Sequence, residues 1–83
     1  MVRILFIDDE ILYHKMISKT LEPLGYHVDT ASSGKEGMKK VSEIHPDLIV
    51  TDVMMPDMSG YDITRTLRRD ARFSYIPIMV LTA

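Results

Sequence analysis

At 83 residues the chain has room for one small domain, whose core is limited by its surface-to-volume ratio. Ten basic against twelve acidic residues give a net charge of −2, so no basic field marks direct nucleic-acid binding, and Arg65, Arg68, Arg69 and Arg72 alternate with Asp62 and Asp70 as on a solvated helix face. The absence of cysteine excludes disulfides, thiolate metal sites and cysteine nucleophiles, and Met1-Val2-Arg3 leading straight into a short apolar run followed by acids is neither a signal peptide nor a membrane span, so a cytoplasmic protein without a membrane partner is expected.

Ile4-Leu5-Phe6-Ile7 is apolar without alternation, the pattern of a strand buried on both faces of a parallel sheet, and it ends in Asp8-Asp9-Glu10. Tyr13, Met16, Ile17, Thr20, Leu21 and Leu24 then recur at helical spacing before Gly25, which predicts a first helix over residues 11–24. Residues 26–31 read as a shorter strand, polar at His27 and Asp29 as suits a sheet edge. Ser33 with Glu36 forms a predicted capping box for a second helix, whose buried stripe is Met38, Val41 and Ile44 and which must end by His45 because of Pro46. Leu48-Ile49-Val50-Thr51 is a third strand ending in Asp52, and Ser59 with Asp62 resembles a second cap for a helix that buries Ile63 and Leu67. Ile78-Met79-Val80-Leu81 is a fourth strand, leading into Thr82-Ala83. Alternating strands and helices predict an α/β fold of stacked β-α units.

Ligands of open parallel sheets bind beyond the carboxyl ends of the strands, so Asp8, Asp9, Asp52 and the Thr82 hydroxyl are expected at one rim. Clustered carboxylates raise one another's pKa and call for a cation. Mg2+ fits, because it takes few protein oxygens, keeps several waters and bridges to phosphate. Helix capping alone explains one acid of the Asp8-Asp9 pair but not both. Met54, Met55 and Met58 read as packing residues, although the Met54 carbonyl, two residues past Asp52, is placed to ligate a metal. His14, His27 and His45 lack metal-site spacing and are expected at the surface.

Three blocks carry a resemblance along the whole chain: Ile7-Asp8-Asp9-Glu10, the run from Asp47 through Asp52 and Pro56 to Gly60, and Pro77-Ile78-Met79-Val80-Leu81-Thr82-Ala83. The chain resembles the receiver domain of two-component response regulators. That resemblance implies a flavodoxin-like doubly wound parallel sheet, a partial (βα)5 fold with four strands in order 2-1-3-4 and three helices over residues 1–83, without the family's fourth helix, fifth strand and fifth helix. It implies Asp52 as phosphoacceptor, Asp9 as direct Mg2+ ligand, Asp8 as holder of metal-bound water, the Met54 carbonyl as a third ligand, Thr82 as switch hydroxyl and Ala83 as the small residue beside the phosphoryl group. The expected partner is a sensor histidine kinase or phosphotransfer protein, and the expected role is signalling rather than enzymatic turnover. The family's strand-five lysine has no counterpart here, which keeps a non-phosphorylated protein-interaction module as the alternative. An open edge at residues 78–81 predicts a homodimer through that strand. An aspartyl-phosphate phosphatase would need an acid where Met54 stands, and a flavin-phosphate loop is incompatible with Asp8-Asp9-Glu10.

Overall fold

A computed structural model describes residues 1–81 of the chain. The elements are β1 (Arg3–Ile7), α1 (Ile11–Leu21), a 3-10 turn (Glu22–Leu24), β2 (His27–Ala31), α2 (Gly34–Ile44), β3 (Leu48–Asp52), α3 (Gly60–Arg68) and β4 (Ile78–Leu81). All pairings are parallel and the sheet order is β2-β1-β3-β4. The four strands, three helices and strand order are those the sequence predicts. The first helix is shorter: α1 closes at Leu21 and a 3-10 turn carrying Pro23 follows, with Gly25 in the left-handed conformation at φ 97°. Pro23 has no N–H to continue the α-helical ladder, so the chain tightens instead. Strand β2 starts at His27 rather than Tyr26, and β3 extends through Asp52.

The unbroken apolar runs are explained by burial on both faces. Leu5, Ile7, Ile49 and Ala31 pack with Val41 of α2, with Ile63 and Leu67 of α3, and with Phe73 and Ile76 from the segment before β4. Ile4, Phe6 and Val50 face the other way, against Ile17 and Leu21 of α1. Phe73 and Ile76 are core residues in an irregular segment held by Arg68, whose guanidinium donates to the Ser74 and Ile76 carbonyls at 2.9 and 2.7 Å. Strand β2 occupies one edge of the sheet. At the other, β4 leaves Met79 and Leu81 exposed. On α1, Tyr13 and Met16 are exposed although they belong to the apolar stripe.

The helix starts follow the sequence with one change. Ser59 and Asp62 form the complete reciprocal box on α3: Ser59 Oγ accepts the Asp62 N–H at 3.1 Å and Asp62 Oδ2 accepts the Ser59 N–H at 3.0 Å. On α2, Ser33 Oγ accepts the Glu36 N–H at 3.1 Å, but the Glu36 carboxylate bonds the N–H and hydroxyl of Ser32 instead of the Ser33 N–H. This pairing with Ser32 holds the Glu36 carboxyl below its ordinary pKa.

Gly60 opens α3 against the end of β3. A Cβ there would lie 2.5 Å from the Asp52 carbonyl oxygen, and the Gly60 N–H donates to the Val53 carbonyl at 3.0 Å. Glycine to alanine in a helix ordinarily gains up to about 1 kcal/mol. Here the clash is with backbone, so Gly60→Ala is expected to destabilise by about 1–3 kcal/mol in equilibrium urea denaturation. A midpoint equal to or above wild type would refute this account of the β3–α3 junction.

Candidate functional site

The site is set by strand register. Ile7 of β1 lies opposite Thr51 of β3, so the residues that follow, Asp8 and Asp52, emerge side by side at the carboxyl end of the sheet. Asp9 follows in the β1–α1 turn. One carboxylate oxygen from each of Asp8, Asp9 and Asp52 lies within 4.8 Å of the others. The three acids singled out from the sequence are therefore brought together. Among the described residues, no lysine or arginine nitrogen comes within 4.0 Å of any of them.

The acids differ in setting. Asp8 is buried, Asp52 is half-buried and Asp9 is exposed. Burial raises the Asp8 carboxyl above its ordinary pKa; the Glu10 N–H, donated to Oδ1 at 2.8 Å, pulls the other way, and the negative charges of Asp52 and Asp9 raise it further. Asp52 Oδ1 accepts the Val53 N–H at 2.9 Å. A cavity of about 500 Å³ adjoins the acids; Asp8 and Asp52 line it together with Phe6, Tyr13, Met16, Ile17, Thr20 and Leu81.

The donor set suits magnesium on its chemistry. Among the described residues, three hard anionic oxygens of graded exposure converge without a protein cation, which leaves room for ordered water. Met54 stands two residues past Asp52, but its side chain is exposed rather than packed, whereas Met55 and Met58 do pack against the core. Thr82 and Ala83 lie outside the described residues.

Two features of the site's frame escape the sequence reading. His14, expected at the surface, is buried, with Nε2 2.6 Å from the Asp8 main-chain oxygen; His45 is exposed and His27 partly so. Burial of the imidazole is tolerated because it finds this hydrogen-bond partner. Asp57, in the loop after Asp52, reaches across to the start of α2. Its Oδ2 accepts the Lys35 N–H at 2.8 Å and its Oδ1 accepts the N–H groups of Gly34 and Met58, each at 3.0 Å. These bonds, the one from Lys35 foremost, hold its carboxyl below the ordinary pKa. Met58 fills the space beside Gly34, where a Cβ would fall 2.1 Å from Met58 Cγ.

The raised pKa of Asp8 fixes the sign of a pH effect. An acid whose folded pKa exceeds its unfolded value weakens the fold once ionised, and the penalty fades as pH falls from the folded pKa toward the ordinary value of 3.8. In metal-free buffer Asp8→Asn, which keeps the oxygen that accepts from Glu10, is expected to raise the melting temperature at pH 7 and to match wild type below pH 3.8. A variant less stable than wild type at pH 7, or a gain that persists in acid, would refute the charge penalty at Asp8, of which burial is the larger cause and repulsion by Asp52 and Asp9 the smaller.

The comparisons with known proteins agree with this geometry. The family profile described as "Response regulator receiver domain" matches residues 4–83. The DNA-binding dual master transcriptional regulator RpaA of Synechocystis sp. is 41% identical over 83 residues, covering 100% of this chain and 34% of the regulator, so the chain spans about a third of that relative's length. The N-terminal domain of a response regulator receiver protein from Methanoculleus marisnigri superposes with a TM-score of 0.96 at 32% identity, over 100% of this chain and 68% of that one. The response regulator TrrA of Thermotoga maritima, solved in complex with Mg2+-BeF, gives a TM-score of 0.91 at 35% identity, over 100% of this chain and 70% of that one. A four-stranded parallel sheet with three acids at its carboxyl rim, in a chain that the family profile matches over residues 4–83, places it in the response regulator receiver domain family of two-component signalling.

Proposed function

We propose that the chain is a phosphoacceptor: a phosphoryl group passes from a phosphohistidine of a sensor kinase or phosphotransfer protein to the Asp52 carboxylate. The observation that carries this reading is the convergence of Asp8, Asp9 and Asp52 within 4.8 Å with no protein cation in reach among the described residues. The Mg2+-BeF complex of the Thermotoga relative supports it. Asp52 attacks the phosphorus in line; the new P–O bond forms as the P–N bond breaks, and the electron pair returns to the donor imidazole, which takes up a proton. Asp9 and Asp8 would hold magnesium, directly and through water, with the Met54 carbonyl as a further oxygen. Bound there, the ion would neutralise charge on the transferring phosphoryl oxygens.

Each residue's part follows from its setting. Asp52, half-buried and tethered through Oδ1 by the Val53 N–H, keeps its other oxygen available as nucleophile. Asp57 is occupied by the α2 amides and is not a competing acceptor. Thr82 follows β4 in the sequence and is assigned the hydroxyl that binds the phosphorylated Asp52, biasing the surface around β4 that a partner reads. Self-association along β4 belongs to the same proposal, supported by the exposure of Met79 and Leu81 on an edge strand of the described sheet.

With a small-molecule phosphodonor and Mg2+, mass spectrometry is expected to find one phosphoryl group on Asp52, and Asp52→Asn to fall to background. Label retained in Asp52→Asn would assign the acceptor elsewhere. Mg2+ at ten times its Kd should stabilise the fold by about 1.4 kcal/mol, and the shift should vanish in the Asp9→Ala/Asp52→Ala double variant. A melt unchanged by millimolar Mg2+ would overturn the metal site. Light scattering after gel filtration is expected to show a dimer, and a monomer at high micromolar concentration would remove the β4 contact.

A further inference from the structure

The transfer just described leaves a buried titratable side chain beside the acids without a role. His14 sits in the first turn of α1 with 9% of its surface exposed, and its Nε2 lies 2.6 Å from the Asp8 main-chain oxygen. A carbonyl oxygen can only accept, so Nε2 carries the hydrogen. The ring meets Phe6 edge-on, at 84° between planes and 5.8 Å between centroids, which fixes the imidazole's rotation about that bond. Asp8 is held at two other points as well: its N–H donates to the Ala31 carbonyl at 3.0 Å, and its Oδ1 accepts from Glu10. Strand β2, the β1–α1 turn and helix α1 thus each hold one polar group of Asp8, and among the described residues Oδ2 is left free.

We propose that His14 is a positioning residue for the acid cluster: its Nε2–H pins the main chain at Asp8, and so sets the aim of the Asp8 and Asp9 carboxylates toward a divalent cation. This rests on the reading of the acids as a Mg2+ site. His14 touches neither the ion nor the phosphoryl group; it acts through the peptide that joins the two acids. Partners that orient a metal's ligands are commonly worth a factor of about 10–100 in affinity.

The test is Mg2+ titration by isothermal calorimetry on the 83-residue chain as wild type, His14→Phe, His14→Gln and Asp9→Ala, with far-UV circular dichroism on each. Phenylalanine keeps the ring against Phe6 but lacks the donor, and glutamine supplies an N–H donor without the ring. His14→Phe is expected to bind Mg2+ about 10–100-fold more weakly, and His14→Gln to lie nearer wild type than His14→Phe does. A His14→Phe variant that binds like wild type overturns the proposal. So does a His14→Gln as weak as His14→Phe, because a purely space-filling role predicts loss in both. If His14→Phe does not fold, ¹⁵N spectra of the wild-type imidazole decide: the Nε2-protonated tautomer with resonances that move on Mg2+ saturation supports the role, and the Nδ1 tautomer or resonances indifferent to Mg2+ overturn it. Wild-type chain that binds no Mg2+ overturns the reading of the acids themselves, and the role of His14 falls with it.

Discussion

The parallel register between β1 and β3 is the constraint on which the rest of the molecule depends. With Ile4 opposite Leu48 and Ile7 opposite Thr51, the residues that follow on the two strands, Asp8 and Asp52, stand at the same level. A slip of one residue would reverse the facing of every side chain on one strand, sending Leu5 and Ile7 toward α1 and Ile4 and Phe6 toward α2 and α3. The different shapes of the two layers therefore hold the register. The position of the acids is a by-product of how the core packs.

Magnitudes support that order of cause. Leu5, Ile7, Ile49, Ile63 and Leu67 are each wholly buried, and burial of such side chains is worth about 1.5–3 kcal/mol apiece. Repulsion among three carboxylates at a partly open rim is a smaller quantity spread over groups that water and a cation can screen. The sheet can thus force the acids together and hold them in a state that binding relieves. This is a familiar division of labour: the scaffold supplies the stability, and the site stores a modest unfavourable energy that gives a ligand its purchase.

The sequence made the scaffold legible because buried parallel strands leave uninterrupted apolar runs, and the site because each run stops at chemistry-bearing residues. Ser59 and Asp62 were readable because their partners lie three positions apart. What was misread or left unassigned has physical causes of the same kind. His14 falls with Ile17 and Leu21 on the inner stripe of α1, a spacing that could have revealed it, but a lone polar residue is by default assigned to water. Ser32 and Ser33 are equally plausible partners for Glu36, and only the three-dimensional turn chooses between them. Met54 and the pair Phe73 and Ile76 sit in irregular segments without a period, so nothing local distinguishes the exposed residue from the buried ones. Asp57 finds its partners 22 and 23 residues away, beyond the reach of any local pattern.

That long-range carboxylate has a consequence for how the molecule breathes. The loop between β3 and α3 would, by itself, be the easiest part of the rim to open, since it has little secondary structure of its own. Because Asp57 accepts two of the N–H groups at the start of α2, and Met58 fills the space against Gly34, opening the loop takes the acceptor from the Gly34 and Lys35 N–H groups at the same moment and leaves the helix start to the Ser33 cap alone. The loop and the first turn of α2 are thereby fused into one cooperative opening unit. Amides at Gly34 and Lys35 should exchange with solvent at the loop's rate, so that motion beside the acid cluster is readable at the start of α2.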